Sequence, residues 1–211
     1  MKIPNLEESQ DLLSEAEKLN PGPWVQHSIY VAQAAEAIAK LHPTLDPTAA
    51  YILGSLHDIG RRVGVTDLRH LLDGYRFLST RGFEDAAQIS LTHAFPVKDI
   101  HVATGEWDCS VQDFEFVKAY LSKIEYSDYD RLIQLCDALA LPTGFCLIEK
   151  RLVEVAFRRG VDNRDLLRWK GYFDNQHEFE RIIGRSIYSV LPGVIENTFG
   201  FNPCNPMRAT A

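Results

Sequence analysis

Six side chains that can ligate a metal ion interrupt apolar stretches of this sequence. His57 and Asp58 end the run AAYILGSLHD, and the other four lie at helical spacing from apolar neighbours: His27, His70, His93 and Asp137. A single buried histidine is usually a hydrogen-bonded core residue, but an aspartate is rarely buried without a partner. Inward-facing imidazoles and carboxylates from several helices build metal sites in helical bundles. The set therefore indicates a metal site, and hydrogen-bonded core histidines remain the alternative for each histidine taken singly.

The segments that carry these residues have helical periodicity and recognisable ends. Asp46 and Pro47 open the segment that ends at the His-Asp pair, and Gly60 is a natural stop after it. Ser127, with Asp130 three residues later, opens the segment that ends at the last aspartate of the set. Alternating strand patterns bounded by turn residues are not found in the sequence. We therefore predict an all-α fold, a single helical bundle of about eight to ten helices.

The organisation along the chain predicts one domain over residues 1–211. We expect a metal-binding core over about 20–145, C-terminal helices over 146–191 and a coil tail over 192–211. The C-terminal helices are predicted at about 144–158, 163–171 and 174–191. The longest irregular stretch covers residues 95–110, and loops of this length in compact helical domains tend to be functional or mobile.

Composition excludes several classes of partner. The net charge of −7 provides no basic surface for nucleic acid or an anionic membrane. No apolar run approaches the ~20 residues that cross a bilayer, and the polar, acidic start does not resemble a signal peptide. The four cysteines form no C-x-x-C pair. We therefore expect a reduced, cytoplasmic protein, and the sequence leaves its oligomeric state open.

The stretch LHDIG, residues 56–60, resembles the signature of the HD superfamily of metal-dependent phosphohydrolases in its HDIG form. That family has a histidine on one helix, a His-Asp doublet ending a later helix and an aspartate on a third, which His27, His57-Asp58 and Asp137 match in order. HLLDGYRFL and ISLTHAF resemble its further histidine-bearing segments and add His70 and His93. The resemblance covers about residues 20–145.

One position departs from the family pattern. The HDIG signature is commonly followed by lysine, whereas this chain has Arg61. Arginine keeps the positive charge, but it cannot act as a general base and it presents a different donor geometry.

The resemblance implies a two-metal centre. His27, His57 and Asp137 would hold one ion, His70 and His93 would hold the other, and Asp58 would bridge them as the catalytic carboxylate. Ligation by nitrogen and oxygen suits Fe, Mn, Co, Ni or Zn, and the sequence does not choose among them. Two such ions bind a phosphoryl oxygen and supply hydroxide at neutral pH.

The function implied by this centre is hydrolysis of a small phosphorylated molecule, with a nucleotide or dinucleotide as the favoured substrate. Arg61, Arg62 and Lys98 flank the ligand-bearing segments, and His101 lies in the long loop, so these four are candidate substrate-binding residues. Two alternatives remain open. One is a di-iron oxygenase with the same six ligands, and the other is a catalytically silent HD domain that binds metal structurally or for sensing.

Overall fold

The computed structural model describes residues 1–202 and 205–209, and within these residues the chain forms ten α-helices. The helices are α1 (Leu6–Leu19), α2 (Pro23–Ala39), α3 (Pro47–Leu56), α4 (Arg69–Ser79), α5 (Glu84–Thr92), α6 (Val111–Lys123), α7 (Asp128–Asp137), α8 (Ile148–Arg159), α9 (Asp165–Ile183) and α10 (Val194–Phe199). Short 3₁₀ helices cover Ile59–Val63, Ile100–Val102 and Ile187–Val190. The all-α prediction is confirmed. No helix of this part of the chain is long and apolar enough to span a bilayer.

Strands contribute only two small antiparallel pairs. Strands β1 (Ala140–Leu141) and β2 (Gly144–Phe145) form a hairpin between α7 and α8, with Ala140 opposite Phe145. Strands β3 (Phe201–Asn202) and β4 (Asn205–Ala209) pair after α10.

Side-chain caps begin the helices that carry the candidate ligands. The Asp46 carboxylate accepts a hydrogen bond from the Ala49 backbone N–H at 2.7 Å, and Pro47 occupies the first turn of α3. Ser127 and Asp130 form a reciprocal capping box at the start of α7. Both predicted helix starts are therefore confirmed.

Two clusters of buried apolar side chains form the core. The larger one joins α2, α3 and α7 and includes Val31, Ile38, Leu53 and Ile133. Gly54 allows α2 and α3 to pack closely, because a Cβ at this position would lie 2.7 Å from the Cα of Ala32. The smaller cluster joins α4, α5 and α6 with the loop that follows α5; its fully buried members include Leu71, Leu91, Phe95, Val102 and Val117.

The C-terminal part differs from the prediction in two ways. In place of the two helices predicted at 163–171 and 174–191 there is one helix, α9, which ends at Ile183 before Gly184 with its φ of +72°, and the 3₁₀ helix Ile187–Val190 follows. The expected coil over 192–211 contains α10 and the last strand pair in its described residues; positions 203–204 and 210–211 lie outside them. Contacts distant in sequence explain α10, since the Lys150 ammonium donates to the Thr198 carbonyl at 3.0 Å.

Candidate metal centre

The predicted ligands converge on one cleft with a volume of about 450 Å³. Five of the six line it, and the sixth, His57, lies beneath the cleft floor with 1% of its surface exposed. The His57 ring centroid is 5.3 Å from that of His27 and 4.7 Å from that of His93. Residues on α2, α4 and α7, and residues directly after α3 and α5, are therefore brought to one place.

Asp58 belongs to two groups of potential metal ligands. One group is His27, His57 and Asp58, the other is Asp58, His70 and His93, and the ligand atoms within each group lie within 4.8 Å of one another. Asp58 Oδ1 lies 3.0 Å from His70 Nε2 and 3.6 Å from His93 Nε2. Asp58 Oδ2 lies 3.9 Å from His57 Nε2. Both groups can therefore hold a divalent metal ion, with one carboxylate common to the two.

Backbone carbonyls orient three of the imidazole rings. Nδ1 of His57 and of His93 hydrogen-bonds the carbonyl three residues earlier, at 2.7 Å and 3.0 Å, and His70 makes the same contact. A carbonyl only accepts, so Nδ1 carries the hydrogen in each ring and Nε2 is left to face Asp58; where the ring is neutral, Nε2 carries the lone pair. This outer contact on Nδ1 is the arrangement that metal-ligating histidines use.

Two glycines permit the approach of the segments that carry Asp58, His70 and His93. A Cβ on Gly60 would overlap the His70 carbonyl and lie 2.5 Å from the Gly74 backbone nitrogen. A Cβ on Gly74 would overlap the hydroxyl of a serine on α5. The glycine of the HDIG stretch and the glycine of HLLDG are therefore packing requirements between the first 3₁₀ helix, α4 and α5.

Asp137 joins the centre through His27. Its Oδ1 lies 2.9 Å from His27 Nε2 and 3.9 Å from the Arg151 guanidinium. Within the described residues Asp137 is in neither three-membered group. The structure thus brings Asp137 into the cleft beside His27, while Asp58 occupies the position between the remaining histidines.

Burial and neighbouring charges set the protonation states of these groups. Burial alone would raise the pKa of Asp58, yet the Arg61 guanidinium and His70 hold that pKa well below its usual range. Burial also opposes ionisation of Asp137, and the bond from His27 lowers its pKa nonetheless. Burial lowers the pKa of His57, and it lowers the pKa of His93 to about 3. Ionised carboxylates and neutral imidazoles are the forms that bind metals.

The contacts fit a cation at the centre. On His57 and His93 a neutral ring presents its Nε2 lone pair to an ionised carboxylate, so two acceptors face each other. His57 Nε2 is buried and has no hydrogen-bond partner among the described residues. A buried acceptor without a donor is costly, and a bound cation would satisfy both sides.

The rest of the cleft is lined by cationic and apolar side chains, with Asp67 and Glu154 among them. Its arginines are Arg61, Arg151, Arg158, Arg159 and Arg168. Its apolar residues include Pro23, Trp24, Leu141, Pro142 and Leu152. Apart from Arg61, these arginines were not among the predicted site residues. The spacing in RLVEVAFRR, which repeats arginine after seven and eight residues on one helix face, is the signal that could have found three of them.

Three of the four predicted substrate-binding residues lie elsewhere. Arg62 lies over the Phe77 ring, 4.1 Å from its centroid. Lys98 pairs with Glu125 at 3.2 Å, and His101 is exposed in the second 3₁₀ helix. None of these three is among the residues that line the cleft in the described chain. Arg61 does line it.

The fold and the two His/Asp groups define an all-α protein with a candidate metal centre. The family model of the HD domain matches residues 24–141, more than half of the chain. The chain therefore belongs to the HD superfamily of metal-dependent hydrolases. The matched span contains all six predicted ligands. The HDIG subtype stays a prediction. No curated protein and no solved structure shows significant similarity to the chain.

Proposed function

We propose that this protein is a metal-dependent phosphohydrolase whose substrate is a small phosphorylated molecule, with a nucleotide or dinucleotide as the favoured class. The observation that carries the proposal is Asp58, a buried carboxylate shared by two groups of potential metal ligands at the base of a cleft with arginines on its wall. Hydrolysis of a phosphoester or phosphoanhydride needs an activated water molecule and a means of neutralising developing negative charge. This cleft has residues suited to both.

In this proposal His27, His57 and Asp137 would hold one ion, His70 and His93 would hold the other, and Asp58 would be a ligand to both. When bound, the ions supply Lewis acidity and lower the pKa of a coordinated water. Asp58 connects the two groups, because its two oxygens face different histidines. The backbone contacts on Nδ1 keep the rings from turning away.

The mixed lining of the cleft favours a substrate with a charged and an apolar part. Ligand pockets are commonly about 300–1,000 Å³, and this cleft of about 450 Å³ accommodates one small molecule. Trp24 and Pro142 offer an apolar surface, whereas Arg151 and Arg158 offer planar cations that suit phosphate oxygens. A nucleotide combines these two parts.

The experiment is metal analysis of the purified protein, followed by a phosphate-release screen over nucleotides and dinucleotides. Asp58→Ala is expected to lose most of the bound metal and nearly all turnover, because Asp58 belongs to both groups of potential ligands. Asp58→Asn keeps the side-chain volume, and circular dichroism of both variants checks the fold. Asp162→Asn is the matched control, since Asp162 pairs with Arg164 outside the cleft.

Two results would overturn the proposal. Wild-type metal content and rate in a folded Asp58→Ala protein would end it, since the bridging role requires that carboxylate. Bound iron with substrate-dependent oxygen uptake and no phosphate release would assign the centre to the oxygenase alternative.

A further inference from the structure

Two arginines of α8 share one glutamate inside the cleft. Glu154 accepts from Arg151 Nη1 at 2.6 Å and from Arg158 Nε at 2.7 Å, and all three line the cleft. Arg151 is well covered, with 17% of its side chain exposed. An ion pair on the solvated surface of a helix contributes little to stability. Stabilisation of α8 therefore does not account well for the covered position of Arg151 in the cleft.

The pair of arginines extends outward from the candidate metal centre. The Arg151 guanidinium lies 3.9 Å from Asp137 Oδ1, whereas Arg158 is two helical turns further along α8 and 51% exposed. A phosphate beside the centre would meet Arg151 first. A second phosphate on the same molecule would lie between Arg151 and Arg158, where Glu154 now pairs with both.

Tyr172 of α9 adds a free donor to the same wall. It is 8% exposed, it lines the cleft, and its hydroxyl has no hydrogen-bond partner in the part of the chain that the structure describes. Burial raises the pKa of Tyr172, so the hydroxyl keeps its proton at neutral pH. A hydroxyl without a protein partner on a residue that lines the cleft is suited to a ligand oxygen.

We propose that Arg151, Arg158 and Tyr172 form a subsite for a second phosphate group of the substrate, and that Glu154 is the counter-ion which the phosphate displaces. This inference rests on the proposed function and narrows the substrate class to molecules with two or more phosphates, such as nucleoside diphosphates and polyphosphates. The subsite comes from α8 and α9, beyond the residues 24–141 that match the family.

The chemistry of the side chains supports this assignment. Guanidinium groups bind phosphate oxygens in a bidentate manner and remain charged at every working pH. A phosphate dianion has more charge and more acceptor oxygens than the glutamate it would replace. The free protein avoids repulsion between the two arginines because Glu154 holds them in place, which preorganises the subsite for the exchange.

The test measures binding of inorganic pyrophosphate and of inorganic phosphate to the Mn²⁺-loaded protein by titration calorimetry. Arg151→Gln and Arg158→Gln are each expected to weaken pyrophosphate binding by about tenfold or more, since each removes a charge-assisted bond. Arg158→Gln should change phosphate affinity less than about threefold, because one phosphate at the centre does not reach Arg158. Tyr172→Phe should weaken pyrophosphate binding by a smaller factor.

The direction in which Glu154→Gln changes the pyrophosphate affinity separates this proposal from a purely structural role. Removing the competing carboxylate is expected to tighten pyrophosphate binding, whereas loss of a purely structural ion pair would leave the affinity unchanged or weaken it. Arg164→Gln is the control, since Arg164 is half-exposed, pairs with Asp162 and does not line the cleft. Circular dichroism and thermal unfolding confirm that each variant is folded.

The outcomes distinguish the subsite from the proposed function. Unchanged pyrophosphate affinity in folded Arg151→Gln and Arg158→Gln overturns the subsite, even where the wild type hydrolyses phosphate esters. Weakened pyrophosphate binding in both variants supports the subsite, and a wild type that then hydrolyses no phosphorylated substrate overturns the proposed function alone. Weaker binding in Glu154→Gln also overturns the counter-ion role.

Discussion

Replacing Arg61 with glutamine is expected to strengthen metal binding at the group formed by Asp58, His70 and His93. Arg61 Nε donates to Asp58 Oδ2 at 2.7 Å, and its Nη2 lies 3.3 Å from His70 Nε2. The Nη2 contact covers His70 Nε2, a ligand atom that an ion at this group needs, and the bond to Oδ2 offsets the charge of the carboxylate whose Oδ1 faces the same group. A metal ion at this group must first displace Arg61 Nη2 from His70.

The size of the effect follows from the contact that is lost. A hydrogen bond to a charged group contributes about 1.5–3 kcal/mol, and about 1.4 kcal/mol corresponds to a factor of ten in affinity. The bare Coulomb energy at 2.7 Å is larger, about 6 kcal/mol at an effective dielectric constant of ~20, but desolvation of the pair offsets most of it. We therefore expect the second ion to bind about 10- to 100-fold more tightly to Arg61→Gln.

The assay is calorimetric titration of chelator-stripped protein with Mn²⁺. The wild type should show two unequal affinities, and Arg61→Gln should bring them closer together. The fold should tolerate the change, because the Arg61 backbone carbonyl, not its side chain, accepts the 2.6 Å bond from Asn20. Arg62→Gln is the matched control, since Arg62 pairs with Glu15 outside the cleft. A second ion that binds equally or less tightly to a folded Arg61→Gln protein would refute this reasoning.

Three further predictions concern the same centre. His70→Ala should retain about half of the bound metal and lose nearly all turnover; full metal content by elemental analysis would contradict the two-ion arrangement. Gly60→Ala should destabilise the protein by about 3 kcal/mol or more, seen as a lower thermal midpoint, because the added Cβ meets backbone of α4 that cannot move aside. The metal-free protein should lose stability as pH falls from 6.5 toward 3, because unfolding lets His57 and His93 bind protons that the fold excludes. Urea unfolding between about pH 7.5 and 5 measures the free energy of unfolding. A rise in that free energy on acidification would contradict the prediction.

The convergence of the histidines could be predicted from the sequence because local signals fix each of them. The cap at Asp46 sets where α3 begins, and the close packing at Gly60 fixes the chain just after His57 and Asp58. Each ligand histidine lies on a helix or directly after its last residue, and the apolar face of that helix packs against the core. A few strong constraints therefore determine where the polar residues of that face must meet.

The arginine wall could not be predicted in the same way. Arg151 and Arg158 lie on a helix whose polar face is compatible with solvent, and only the tertiary fold, which brings α8 to the same cleft as Trp24 and Pro142, makes that face part of the cleft lining. From the sequence we predict substrate-binding cations next to the ligand-bearing segments instead, at Arg62 and Lys98. Those two cations satisfy acidic partners outside the cleft, at Glu15 and Glu125. Proximity in sequence to a ligand does not decide on which face of the molecule a flexible cation lies.

The two halves of this cleft come from different parts of the chain, and that division has a consequence for specificity. The candidate ligands lie within residues 24–141, which match the HD family, whereas the second-phosphate subsite lies on α8 and α9. Substitutions on α8 can therefore alter which anionic group is bound without disturbing the carboxylate and imidazoles of the centre. Arg151 is where the two halves touch, since its guanidinium lies 3.9 Å from Asp137. For this reason Arg151→Gln should affect both metal-proximal phosphate and the second phosphate, while Arg158→Gln should affect the second phosphate alone.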